Sequence, residues 1–303
     1  MAPTAKNSPL PPELAVGSRP RLVKFSDDEQ RPPAIMDPFD TGFREETFPL
    51  EMLQGKQCLA CLRGEWLLML DERTKECFLL SVASLSKISL PPLLLSPEPL
   101  YWCALSSSPA LPDCTVMFAT RFEDYLLYCR LDDEEWWELS DEANDAYELF
   151  VGDIAAGSRG RMYASTDMNT FIMVNTSVPS PSSPTIDRRG IPSPARMRWR
   201  CEKRLVESDD GDVFLLQLYF HGFHESDLID INIHRLDTSE YVWNKVESIG
   251  DRTIFVGDNN HAVLLSASRA GYGLAVSISC TKIAVMLQQR TWGTFWRCLK
   301  QVK

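Results

Sequence analysis

What most constrains this chain is the brevity of its apolar runs. Residues 21–25, 66–70, 77–80, 115–118, 125–131, 161–164, 171–174, 213–220, 253–256 and 262–266 are rich in aliphatic and aromatic side chains, with turn-forming residues between them. None reaches the length of an average globular helix. One segment alternates cleanly: Ile229, Ile231 and Ile233 fall on one face of an extended chain, and Asp230, Asn232 and His234 on the other. A period of two predicts a half-buried strand there. The 20 prolines outnumber the 15 glycines, which suits many turns and disfavours long helices. The helical expectation is confined to a weak one over 141–149.

A loose internal similarity recurs. Leu70-Asp71 precedes Phe78, Leu131-Asp132 precedes Trp136-Trp137, and Leu236-Asp237 precedes Trp243. Each reads as a hairpin whose Asp caps the turn and whose aromatic fills the space toward a neighbouring sheet. Many short strands with repeated hairpins predict an all-β fold, a propeller or a sandwich. At roughly 40–50 residues per blade, residues 21–303 supply about six to seven four-stranded blades. Residues 1–20 read as a disordered lead-in rich in Pro and small polar residues. The Pro/Ser-rich stretch 178–194 reads as a long surface loop between strands.

Composition narrows the class. Apolar residues make up 44% and charged residues 24%, enough for a sizeable core. The nine cysteines are scattered singly and set among apolar neighbours, the pattern of reduced buried thiols. With no signal-like N-terminus and no run of membrane-spanning length, the expected location is cytoplasmic or nuclear. The formal net charge of −11 opposes polyanion and anionic-membrane binding and favours a basic partner surface.

Several blocks resemble a known family. They are Gly64-Glu65-Trp66-Leu67-Leu68-Met69-Leu70-Asp71-Glu72 with Cys77-Phe78-Leu79-Leu80 and Ile88-Ser89-Leu90-Pro91-Pro92-Leu93, then Ser106-Ser107-Ser108-Pro109, Pro112-Asp113-Cys114-Thr115-Val116, Tyr128-Cys129-Arg130 and Trp136-Trp137. The most specific is Glu207-Ser208, residues 215–220, His234-Arg235-Leu236-Asp237, Trp243, then Val246-Glu247-Ser248-Ile249-Gly250-Asp251-Arg252 and Phe255. Together they are similar to the plant F-box-associated, KIB-type β-propeller proteins. The resemblance implies a β-propeller that acts as the substrate-binding part of an Skp/cullin/F-box ubiquitin ligase receptor. Its client would be an unidentified protein. The sequence departs from that pattern twice. About 20 residues precede the first apolar run, too few for the three helices of an F-box. Residues 269–303 do not follow the family's closing Gly-rich turn and aromatic strand, which leaves ring closure without its usual pattern. Skp and cullin subunits would therefore be only indirect partners.

Catalytic chemistry is sparse in the sequence. No P-loop, Rossmann fingerprint, GxSxG elbow or HExxH helix is present. The four histidines include His221 and His224, followed by Glu225 and Asp227, a set that reads as a solvated loop before it reads as a metal site. Cys58 and Cys61 form a lone CxxC; on a regular strand the odd separation would send the two thiols to opposite faces. The sequence therefore predicts no catalytic residue, cofactor or metal. The runner-up classes are a propeller hydrolase with convergent carboxylates and an RNA contact through 196–204.

Partner binding has better candidates. Asp132, Asp133, Glu134 and Glu135 form a dense acidic run where a hairpin turn belongs. Trp136 and Trp137 follow, and adjacent strand residues face opposite ways, so one of them is expected on the less buried face. An exposed Trp is the kind of residue that dominates an interface. Arg196, Arg198 and Arg200 flank Trp199 in the one basic cluster, with Lys203 and Arg204 following; alternating Arg on the wet face of a strand is the simpler reading. Ser180, Ser183 and Ser193 each precede Pro and are candidate sites for proline-directed phosphorylation.

Overall fold

The computed structural model describes residues 22–24, 34–36, 45–47, 53–62, 66–81, 84–94, 101–120, 125–139, 151–157, 160–166, 170–177, 184–194, 200–208, 210–221, 228–250, 252–256, 262–266 and 282–285. Every regular element among them is a β-strand. A three-stranded sheet comes first, β1 (Leu22–Lys24), β2 (Ala34–Met36) and β3 (Glu45–Thr47). Four antiparallel meanders of four strands follow. They are β4 (Gln57–Leu62), β5 (Trp66–Leu70), β6 (Cys77–Ser81) and β7 (Lys87–Leu90), then β8 (Tyr101–Leu105), β9 (Thr115–Thr120), β10 (Leu126–Arg130) and β11 (Trp137–Leu139). The next two are β12 (Val151–Ala156), β13 (Arg161–Thr166), β14 (Thr170–Asn175) and β15 (Thr185–Pro192), then β16 (Arg200–Glu207), β17 (Val213–Phe220), β18 (Leu228–Asp237) and β19 (Val242–Val246). A last sheet has the order β21-β20-β22, formed by β20 (Arg252–Val256), β21 (Ala262–Ser266) and β22 (Lys282–Val285), with β22 parallel to β20.

The first strand of each meander packs against the first strand of the next, β4 on β8, β8 on β12 and β12 on β16, and β16 packs on β21, the edge strand of the last sheet. This is the arrangement of a propeller, with inner strands gathered together and outer strands at the rim. Its cause lies in the central strands, which are apolar on both faces. In β9, Val116 and Phe118 enter the core shared with the β4–β7 sheet, while Met117 and Ala119 enter the core shared with β12–β15. In β17, Val213 and Leu215 face β12–β15, while Phe214, Leu216, Leu218 and Phe220 face the last sheet. All eight β17 side chains are buried. A strand sandwiched in this way cannot show period-two hydrophobicity, because neither face meets water. At about 1.5–3 kcal/mol per large apolar side chain removed from water, these interfaces supply most of the cohesion.

Turn chemistry fits the expected hairpins, with one shift. Asp71 Oδ1 accepts the N–H groups of Arg73 and Thr74, and Lys56 binds its Oδ2 at 2.8 Å. The Lys56 hydrogen bond leads the causes that hold the Asp71 carboxyl down at about 2. Asp237 plays the same capping part for Ser239 and Glu240. In the middle hairpin the cap is Asp133, which accepts the Arg130 N–H at 2.8 Å, and Asp132 stands exposed. Two of the aromatics, Trp136 and Trp243, fill the space toward the preceding sheet. Trp243 meets Phe171 edge-on at 4.9 Å, and Trp136 donates its indole N–H to the Pro91 carbonyl at 3.0 Å.

Three expectations are corrected. The stretch 178–194 is not one long loop, because residues 185–192 form β15 at the rim of its sheet. Ile186 and Ile191 serve the cores on its two sides, and the rim position tolerates Pro192. The polar face of β18 is not solvated throughout: His234 is 7% exposed because the β12–β15 sheet covers it, whereas Ile229 on the apolar face is 47% exposed. The parity argument for Cys58 and Cys61 fails as well. A bulge between Cys58 and Ala60 sets Cys58 opposite Met69 and Cys61 opposite Leu67, two positions on one side of β5. The lead-in 1–20 and the weak helix over 141–149 lie outside the described residues, as does most of the tail 269–303.

Candidate functional site

The β10–β11 hairpin carries the sequence's partner-binding candidates. Antiparallel pairing sets Leu126 opposite Leu139, Leu127 opposite Glu138, and Tyr128 opposite Trp137. Leu139 and Tyr128 are buried in the core toward β12–β15 and anchor the hairpin from beneath. Trp136 turns the other way. It packs partly buried against the core shared with β4–β7 and meets Phe118 edge-on at 6.3 Å. Trp137 is left 47% exposed on the outermost strand. Asp132, Glu134, Glu135 and Glu138 are all exposed on the same hairpin, while Asp133 is half-buried in its capping role. Of the tryptophan pair, then, one is a packing residue and the other stands free for contact.

The basic candidates are placed differently. Arg196 and Arg198 lie outside the described residues, and Arg200 opens β16 opposite Phe220. β16 is an inner strand packed between sheets, with its residues 201–204 half-buried. Arg204 is engaged within the fold: its guanidinium binds Glu202 at 3.1 Å and the Lys203 carbonyl at 2.8 Å. Lys203 lies over the Phe171 ring, 5.6 Å from its centroid. Ser193 sits half-buried at the end of β15, where its hydroxyl donates to the Pro194 carbonyl, which also accepts from Gln217. Ser180 and Ser183 lie outside the described residues. So do His224, Glu225 and Asp227, while His221 is exposed.

Two features escaped sequence reasoning. Asp153, 3% exposed, accepts the N–H of Ile154 and, across the sheet boundary, the N–H of Leu205 at 2.6 Å. Glu207 accepts the Ala156 N–H at 2.9 Å, so the inner strands β12 and β16 are tied in both directions. Burial pushes the Asp153 carboxyl up to about 7, against the pull of Arg204. The second feature is a set of cysteines gathered in and beside one core: Cys77, Cys114 and Cys129 are buried, with Cys103 packed against them. Burial pushes the Cys77 thiol up to about 12 and raises Cys129 as well. No single position in the sequence signals either arrangement, since both depend on which strands meet. No group of three or more His, Cys, Asp or Glu side chains is arranged for a metal among the described residues.

The family model for the KIB1-4 beta-propeller matches residues 36–276, which take in nearly all the described strands. The chain belongs to the KIB1-4 β-propeller family. No curated protein sequence matches it. Among solved structures, the extracellular domain of BT4673 from B. thetaiotaomicron is similar at 12% identity and a TM-score of 0.41, covering 82% of this chain and 31% of that one. Dihydro-heme d1 dehydrogenase NirN is similar at 12% identity and a TM-score of 0.41, covering 81% and 48%. KlAtg21, in complex with the coiled-coil of AgAtg16, stands at 10% identity and 0.41, covering 76% and 81%. This KIB1-4 propeller thus spans less than half the length of either of the first two of these structures. At such identities and scores the likenesses carry no functional argument, so any function has to be argued from the propeller's own surface.

Proposed function

We propose that this KIB1-4 propeller is a non-catalytic protein-interaction module. The observation that carries the reading is Trp137, a large aromatic left exposed on a rim strand while its neighbour Trp136 does the packing. Exposed tryptophans that dock in a partner's pocket dominate interface energies, and a stack of packed sheets is a rigid mount for one. The buried carboxylate Asp153 and the half-buried Glu207 are tied to backbone amides of inner strands, an arrangement that serves cohesion.

The resemblance to F-box-associated propellers extends this reading to the substrate-binding part of a ubiquitin ligase receptor. In that role the propeller selects a protein client in the cytoplasm or nucleus, and Skp and cullin subunits join through another link. Proximity labelling of the tagged chain in plant cells tests this, scored for Skp, cullin and client proteins. Clients together with ligase subunits are the expected result. A client without ligase subunits would reduce the role to that of a competitor or scaffold. A labelled set no different from that of an unrelated propeller would sink the reading altogether.

A further inference from the structure

Two hairpins of this chain are built on one plan, and comparing them isolates what is special about β10–β11. Leu126 lies opposite Leu139, and Ile233 opposite Val246; both pairs face the following sheet. Trp136 and Trp243 both pack toward the preceding sheet. In this register Glu138 corresponds to Lys245, and Trp137 to Asn244. Both members of the second pair are exposed. The same structural position is therefore filled by a polar amide in one sheet and by an indole in the other, so the fold itself does not call for a tryptophan there.

Charge separates the two hairpins as well. Residues 126–139 hold five carboxylates, Asp132, Asp133, Glu134, Glu135 and Glu138, against Arg130 alone, a net of −4. Residues 233–246 hold Asp237 and Glu240 against Arg235 and Lys245, a net of zero with His234 neutral. Asp132, Glu134, Glu135 and Glu138 make no ion pair among the described residues, so their field is open to a partner. An exposed indole on a hairpin of uncompensated carboxylates has one natural complement, a planar cation. Guanidinium stacks on indole and forms paired hydrogen bonds with carboxylates, which ammonium does less well.

Building on the interaction-module reading, we propose that the β10–β11 hairpin docks an arginine-containing basic segment of a partner protein, with a guanidinium against the exposed face of Trp137. The test uses the full chain and three fluorescein-labelled peptides of one length, in which Gly-Ser spacers alternate with Arg, Lys or Glu. Binding should rank Arg above Lys, with Glu negligible. Trp137→Asn, which copies the sister hairpin, should weaken Arg-peptide binding by about tenfold or more while leaving the melting temperature unchanged. The triple change Asp132→Asn, Glu134→Gln and Glu135→Gln keeps the Asp133 cap, and should weaken binding and flatten its salt dependence. Equal binding by Trp137→Asn, equal binding of the Glu peptide, or no Arg-peptide binding at about 1 mM overturns the proposal. Clients recovered by proximity labelling with an unchanged profile for Trp137→Asn would overturn this assignment alone and leave the module reading standing.

Discussion

Asp153 on one inner strand accepts the backbone N–H of Leu205 on the next, at 2.6 Å and out of contact with water. Inner strands are sheet edges, and an edge presents backbone donors that no strand of its own sheet satisfies. At the boundary between β12 and β16 two carboxylates do that work reciprocally, since Glu207 accepts the Ala156 N–H. The joint is thereby hydrogen-bonded as well as greasy, and register between the two sheets is set by bonds with direction. Asp153→Ala strands the Leu205 donor and leaves a void. It should cost about 2–3 kcal/mol in urea unfolding. Asp153→Asn keeps an acceptor and should cost less, and Glu207→Gln, in a less buried place, about 1 kcal/mol or under. If Asp153→Ala matches wild type, the bond contributes nothing to cohesion.

The same residue gives the protein a pH dependence whose sign follows from burial. The folded carboxyl titrates at about 7, against 3.8 for an ordinary aspartate. Between those values the folded chain holds a proton that the unfolded chain has released. The contribution is therefore full below about pH 4 and is lost as pH rises through about 7. His234 works in the opposite sense: burial, then Lys245, lowers its affinity for a proton, so its contribution grows as pH rises toward 6.5. Melting temperature followed from pH 5 to 8 should fall less steeply in Asp153→Asn than in wild type. In His234→Gln it should fall more steeply. Parallel curves for all three proteins would show that neither group changes its protonation on folding.

Which parts of this fold are legible in sequence follows from where strands sit. The runs at 66–70, 77–80, 115–118, 125–131, 161–164, 171–174 and 213–220 all proved to be strands with two neighbours in their sheet. Such strands are buried on both faces and read as unbroken apolar text. Most edges did not read, β1 and β21, which fall in the runs 21–25 and 262–266, being exceptions. β16 has the sequence RCEKRLVE, in which Glu202 pairs with Arg204 and Lys203 lies over the Phe171 ring, and these partners are visible only in three dimensions. β7, β11 and β19 are short or half wet and hold too few apolar residues to stand out. Parity reasoning succeeded for Trp136 and Trp137, where pairing is regular, and failed for Cys58 and Cys61, where a bulge inserts a residue.

Backbone strain separates two turn positions that look alike on paper. Lys75 and Gly160 both close hairpins with φ near +60°, where a Cβ crowds the backbone. At Lys75 the chain already bears that cost, so Lys75→Gly should be neutral or stabilising by up to about 1 kcal/mol, the relief offsetting glycine's added unfolded freedom. At Gly160 an added Cβ would lie 2.1 Å from Ser177 Oγ and 3.2 Å from its backbone nitrogen. The Gly160 carbonyl also accepts both the amide and the hydroxyl of Thr176. Gly160→Ala should therefore lose about 2 kcal/mol or more, twist strain and crowding together. Urea titrations of the two variants side by side check the contrast. Equal effects would mean that the β12–β13 turn relaxes freely.

The buried thiols offer a readout of the core between the β4–β7 and β8–β11 sheets. Cys77 titrates at about 12 because burial disfavours its thiolate, and Cys129 is raised further by the same cause. The thiolate is the reactive species, so at pH 8 only about one Cys77 in ten thousand is competent at any instant, before access is considered. In the folded protein a maleimide should leave Cys77 and Cys129 unmodified over hours, while both should react within minutes in 6 M guanidinium. Peptide mass mapping after timed labelling assigns the sites. Substituting Leu79 or Val116, fully buried neighbours in the same core, by Ala should speed labelling of Cys77 and Cys129 through local opening. Rapid labelling of either cysteine in the unaltered protein would mean that this inter-sheet core opens on its own, and that the propeller is a looser mount for Trp137 than its packing implies.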